Sequence, residues 1–442
     1  MTRTHVKAAE FVILLPLDIP LTPSWDRGPL PLENLPGTPY QITANQAGRQ
    51  RYVPGQQIPH ILWGSSQSPR RWNKVCNLHA TFTSARGTAV EVKITGAELL
   101  RIHSGQKNNG IGVLHGACNS RDDQVLSTFV ELSNIDKVHG LRMREFFAGP
   151  LSPAEIPSRS RRVRIMSLVC PTTHGLPEIA PNLDGIWTRK EQWLSYLATS
   201  HMPEGITVSR TLLDHLRRDK LEISDEWSCF SAAEGSAYVA NDPATDNTHT
   251  QELLRQRVFR FHTIETDAFL LAEAQDLLLS RISDALFVAR NQNSLKDSLE
   301  SMKDALEAFR LMYWGERIAE RGFTNSLLSA QRAVKDIPER LEELRADVRE
   351  ATNEIAERDT ASSSAALGVL AVVGFPVSTA LSIWAALGAD RWPGLAIALI
   401  LAAITSVALV LVFPGLRGLV GKLGKDGSGK DRRMIPGSSP AN

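Results

Sequence analysis

Two stretches near the C-terminus constrain this chain more than anything else in it. Thr360–Ala389 and Trp392–Leu416 contain no Asp, Glu, Lys or Arg, in a chain that is 22% charged. A helix needs about 20 consecutive apolar residues to cross a bilayer core. Ala365–Leu387 (AALGVLAVVGFPVSTALSIWAAL) and Trp392–Phe413 (WPGLAIALILAAITSVALVLVF) both reach that length. Residues 388–391 join them, so the expectation is a hairpin of two transmembrane helices with both flanks on one side; a buried hairpin inside a folded domain is the alternative. The tail that follows carries Arg417, Lys422, Lys425, Lys430, Arg432 and Arg433, whereas the turn carries only Arg391. That bias places both termini in the cytoplasm of a multi-pass protein of the cell membrane, with Trp384 and Trp392 flanking the outer turn.

Ahead of the hairpin, Gln251–Thr360 is rich in Ala, Leu, Glu and Arg, with proline only at Pro338, and reads as a helical region. Within it Leu327, Ala330, Val334, Ile337, Leu341, Leu344, Val348, Ala351 and Ile355 alternate three and four apart. This is the seam of a coiled-coil stalk, or the buried stripe of an ordinary amphipathic helix packed on its own domain. In DIPERLEEL, Asp336 or its neighbour is positioned to cap a new helix around Pro338. His262 and Glu265, three apart, suit either a shared metal or, more simply, a surface pair.

Residues 1–245 mix strand and helix patterns. FVILLPLDIP reads as a buried strand rather than a leader, ATFTSARGTAVEVKIT as a hairpin about Arg86-Gly87, GIGVLHGAC and RVRIMSLVC as strands, and SRDDQVLSTFVELSNI as a helix. The class is an α/β domain. Cys76, Cys118, Cys170 and Cys229 form no CxxC pair, which suggests reduced thiols. GIGVLHG does not meet the G-x-G-x-x-G spacing, and no phosphate-binding loop of the G-x-x-x-x-G-K-[ST] kind is present. His115 and Cys118 read as core residues. SRSRRVR, Ser158–Arg164, suits phosphate or acidic lipid, or a solvated loop. With 49 Lys+Arg against 48 Asp+Glu the net charge is +1, so no nucleic-acid partner is expected, and no motif points to an enzyme.

The layout so derived has four parts: an α/β domain over 1–245, a helical bundle and stalk over 246–359, two spans over 360–416, and a basic tail over 417–442. It resembles the CorA-like divalent-cation transporters. The closest local match runs from Trp314 through DIPERLEELRADVREATNEIAER to GVLAVVGFPVSTA and covers about the last third of the chain. The resemblance implies a homopentamer in a lipid bilayer, no cofactor beyond magnesium or another divalent cation as the transported ion, and passive flux gated through the stalk. The family's Gly-Met-Asn motif is replaced here by Gly388-Ala389-Asp390, and Gly388 lies about one turn further from Pro376 than the family spacing puts it.

Two readings of the turn and first span remain open on the residues alone. Gly388, Ala389 and Asp390 form a pore mouth with Asp390 as a metal ligand, or Asp390 pairs with Arg391 or caps the second helix. Gly374, Ser378 and Ser382 line a pore, or let helices pack closely. The stalk seam Ile337, Leu341, Leu344, Val348 and Ile355 carries the gating movement. Glu342, Glu343, Asp347, Glu350 and Glu354 sense the ion, or form a solvated face. The expected function is divalent-cation transport; the alternative is a membrane-anchored signalling or defence effector that keeps the CorA-like scaffold without selective magnesium transport.

Overall fold

A computed structural model describes residues 6–18, 24–31, 57–64, 68–83, 89–104, 107–118, 122–133, 163–179, 187–200, 210–241, 248–291, 295–314, 317–319, 322–369 and 374–386, with single positions at 396, 400 and 404. The chain divides into two compact units, 1–348 and 349–442.

Unit 1 is built on a nine-stranded sheet: β1 (Val6–Asp18), β2 (Asp26–Arg27), β3 (Arg71–Thr83), β4 (Ala89–Ser104), β5 (Lys107–Cys118), β6 (Arg164–Pro171), β7 (Leu221–Ser224), β8 (Trp227–Ser231) and β9 (Gly235–Ala240). The spatial order is β2-β3-β4-β5-β1-β6-β9-β8-β7. Every neighbouring pair is antiparallel except β6 and β9. The helices are α1 (Gln57–Leu62), α2 (Asp122–Ser133), α3 (Arg189–Thr199), α4 (Arg210–Asp219), α5 (Thr248–Arg260), α6 (Thr266–Asn291), α7 (Leu295–Ala308), α8 (Phe323–Ala333) and α9, which begins at Ile337.

Successive side chains of a strand point to opposite faces. One face of this sheet is apolar: Phe11, Ile13, Leu15, Leu114, Ile165, Val169, Ala237 and Val239 form a core with Val125 and Phe129 of α2 and Trp193 and Leu197 of α3. The alternate residues, Glu10, Arg71, Glu98, His115 and Tyr238, point the other way. Helix α6 covers that face, contacting β4 and β5, and four of those five are fully or almost fully buried, Glu10 being partly so. That face, which also carries Val12, Leu14, Val113 and Leu168, is therefore a second interior, not a solvated one.

The start of α3 is fixed by a capping box. The Thr188 hydroxyl accepts from Glu191 N–H at 3.2 Å, and Glu191 Oε2 accepts from Thr188 N–H at 2.8 Å.

Unit 2 holds the rest of α9, which ends at Val369, and α10 (Phe375–Ala386). Here the membrane expectation is corrected. Among the described residues, no helix is long and apolar enough to cross a membrane. The first expected span, 365–387, falls on the end of α9, on α10 and on residues 370–373 and 387, which lie outside the described residues. Among the described residues the fold is a nine-stranded sheet with helices and no spanning helix, and the transmembrane and cell-membrane assignments are withdrawn for them; the second expected span, 392–413, lies outside the described residues except at positions 396, 400 and 404.

Candidate functional site

The chemistry-bearing side chains converge where α5 passes into α6 against the sheet. Between the two helices lies a π turn, Phe261–Glu265. In an α-helix, residues five apart sit about 140° around the axis, so His262 and Asp267 would diverge. The i→i+5 pattern of a π turn brings such residues toward one face, and such turns are frequent at functional sites. Two hydroxyls accommodate the widened backbone: Thr266 donates to the Phe261 carbonyl at 2.7 Å and Thr263 to the Phe259 carbonyl at 2.7 Å.

His262 and Asp267 meet a polar row on the sheet. Arg71 of β3 donates through Nε to Glu98 Oε2 of β4 at 2.7 Å, pairs with the same oxygen through Nη2, and donates through Nη1 to Asp267 Oδ1 at 2.7 Å. Glu98 Oε1 accepts from the Leu30 N–H at 2.7 Å and lies 3.7 Å from Nε2 of His115 on β5. His115 Nδ1 is 3.1 Å from His262 Nδ1, and His262 Nε2 is 3.4 Å from Oε2 of Glu10 on β1. Six side chains, from β1, β3, β4, β5, the π turn and α6, thus form one row, Glu10, His262, His115, Glu98, Arg71, Asp267, buried throughout except at the partly buried Glu10. Leu30 reaches Glu98 because β4 has a glycine at position 96, where a Cβ would collide with the Leu30 side chain.

Electrostatics fix the charge at one end of the row. Burial works against the Arg71 charge, but Glu98 and Asp267 outweigh it and raise the pKa of the guanidinium. At the other end burial pushes the Glu10 carboxyl above the usual carboxylate range, with His262 and Lys93 opposing without reversing it.

A second buried group lies on the far side of the π turn. Arg257 pairs with Glu265, and its guanidinium sits over the rings of Trp227, Tyr238 and Phe323 at 5.8, 5.1 and 5.7 Å. Burial, with Glu265 adding to it, pushes the Cys229 thiol far up, so it is inert as a nucleophile in the folded chain.

Further along, α6 turns from the sheet to the helices. Glu273 pairs with Lys335 and lies 3.5 Å from Arg164 of β6; Gln275 accepts from Arg332 of α8 at 2.9 Å; Asp276 and Ser280 both bond Arg340 of α9. Asp336, just before α9, has φ 51° and accepts from the Arg340 N–H at 2.9 Å through its backbone carbonyl.

The sequence-derived positions fall as follows. Gly388, Ala389 and Asp390 lie outside the described residues. Gly374, Ser378 and Ser382 are exposed in the chain as described, and the two hydroxyls donate to the Phe375 and Ser378 carbonyls at 2.9 and 2.8 Å, back onto their own helix. In the stalk seam Ile337, Leu341, Leu344 and Val348 are buried and Ile355 is half-buried. His262 and Glu265 are not a surface pair: both are fully buried and serve different clusters on either side of the π turn. Of SRSRRVR, Val163 and Arg164 are described, and both are buried. Among the described residues no group of three His, Cys, Asp or Glu side chains is arranged to hold a metal ion. The row itself was missed because its members lie up to 257 positions apart, from Glu10 to Asp267. The one local hint was that polar residues alternate with apolar ones in β4.

Comparison with protein-family models, curated proteins and solved structures finds no match to this chain. The likeness to CorA-like transporters therefore stands on the residues quoted above.

Proposed function

We propose that this chain is a regulatory or signalling effector in which the sheet receives an input and α6 passes it to the start of α9. The observation that supports this reading is the double engagement of α6. Its first turn, with the π turn before it, is tied to three strands, β1, β3 and β5, through Asp267 and His262. Two to four turns later the same helix is tied to α8, α9 and their junction through Glu273, Gln275, Asp276 and Ser280. A helix is stiff over this distance, so a shift at Asp267 displaces the partners of Asp276.

The test is hydrogen exchange over residues 337–348. Asp267→Asn weakens the sheet end of α6, and faster exchange in 337–348 is expected. Leu126→Ala, in the opposite core, serves as a comparator of similar overall destabilisation. If the two variants raise exchange in 337–348 equally, or Asp267→Asn loosens only the π turn, α6 is not a transmitting element.

A further inference from the structure

Helix α5 is held to the rest of unit 1 by few side chains. Of its 13 residues only Arg257 and Val258 are buried. Among the described residues it lies against the π turn and makes only slight contact with any other element. Its attachment is therefore concentrated where Arg257 enters the protein. Three rings from three elements receive that guanidinium: Trp227 of β8, Tyr238 of β9 and Phe323 at the start of α8. All lie within the reach of about 6 Å at which a cation is attracted to a ring face.

A buried carboxylate completes the group. Glu265 belongs to the π turn, is fully buried, and pairs with Arg257 through Oε2 and Nη2. This is half of what an arginine can make. Nε of Arg257 and Oε1 of Glu265 have no hydrogen-bond partner in the protein, where a fork would engage both oxygens. Arg260 stands 4.0 Å from Oε1, with about half of its side chain exposed.

Aromatic faces around a cation, with a carboxylate beside them, are what recognise an organic cation. A guanidinium suits the place better than an ammonium, being flat, weakly hydrated and able to bond a carboxylate through two N–H groups. We propose that Trp227, Tyr238, Phe323 and Glu265 form a guanidinium-binding site with Arg257 as its resident occupant, and that α5 swings away at the π turn to admit an arginine of a partner polypeptide. A π turn is a place where helices kink. The partner is a polypeptide because the resident arrives on one. It enters beside Phe323, which is half-buried, since Trp227 and Tyr238 are buried and close the inner side.

Charge couples release to binding. When α5 leaves, Glu265 stays on the π turn and loses its cation, and a buried charge without compensation is costly. An incoming guanidinium removes that cost, so it binds the released form and raises its population by the factor 1 + [L]/Kd. The site stands whether or not α6 passes movement to α9.

The experiment is hydrogen exchange of the full chain, with methylguanidinium as the probe and urea, also planar but uncharged, as the control. In wild type, residues 248–260 are expected to exchange through a local opening, faster than β9. Methylguanidinium at about ten times its dissociation constant should speed 248–260 about tenfold more and leave β9 unchanged, whereas urea at the same concentration should not. Glu265→Gln should abolish the response. In Arg257→Ala, 248–260 should exchange fast without any probe, and methylguanidinium should raise the unfolding midpoint saturably. A peptide of residues 248–260 should bind that variant, and the same peptide carrying Arg257→Ala should not. Equal protection of 248–260 and β9 in wild type overturns the proposal, as does acceleration no greater with methylguanidinium than with urea. Both are read in wild type, so a variant that fails to fold leaves the test intact. A response to methylguanidinium without binding of the peptide overturns the polypeptide partner.

Discussion

Replacing Arg71 by methionine removes the only cation that the buried row places between Glu98 and Asp267. The side chain is fully buried, and three of its N–H groups bond the two carboxylates. Removing one partner of a buried ionic group costs about 3–5 kcal/mol, because the others remain buried without compensation. Against a typical total of about 5–15 kcal/mol this is a large fraction. With a urea slope of roughly 3 kcal/mol per molar, the midpoint should fall by about 1–2 M. Two features distinguish this from loss of packing alone. The penalty should shrink on acidification, as protons supply what Arg71 supplied. It should also shrink when Glu98 and Asp267 are both replaced by leucine, since an apolar substitute for a whole ionic triad is often neutral. Tryptophan fluorescence during urea titration at two pH values, in Arg71→Met and in the triple variant, measures all of this. A loss below about 1 kcal/mol, or one the same at both pH values and in the triple variant, would refute the view that Arg71 is the charge-balancing centre.

Other expectations follow from the same structure. Thr188→Ala should cost about 1 kcal/mol through loss of the α3 capping box, read by urea unfolding. Although burial opposes it, the Arg217 and Thr188 hydrogen bonds hold Glu191 below the usual carboxylate range. Its contribution is thus present above about pH 4.3 and is lost as pH falls through the folded value; Glu191→Gln should flatten the acid limb of the stability curve. Timed alkylation of native protein should label Cys76, which is half-buried, before Cys118, Cys170 and Cys229, which are buried. Labelling of Cys229 at the rate of Cys76 would contradict its packing.

Much of the strand and helix pattern was legible locally. The run FVILLPL lies in β1, GIGVLHGAC in β5, and RVRIMSLVC largely in β6, while DDQVLSTFVELS is α2. Each is a short segment whose periodicity and start signals depend on near neighbours only. The long uncharged runs are also a local signal, but among the described residues they yield no helix long and apolar enough to cross a membrane.

The sequence by itself determined which residues could alternate across a strand, where α2 and α9 begin, and that His115 sits in a strand interior. It did not determine that the face of that strand which carries His115 is covered. Glu10, Arg71, Glu98, His115, His262 and Asp267 become one row only because α6 closes over the sheet and a π turn brings two of its residues onto the same side. Side-chain alternation is a property of a single strand, whereas burial of both faces depends on which helix packs there, and that is decided by contacts between residues far apart in the chain.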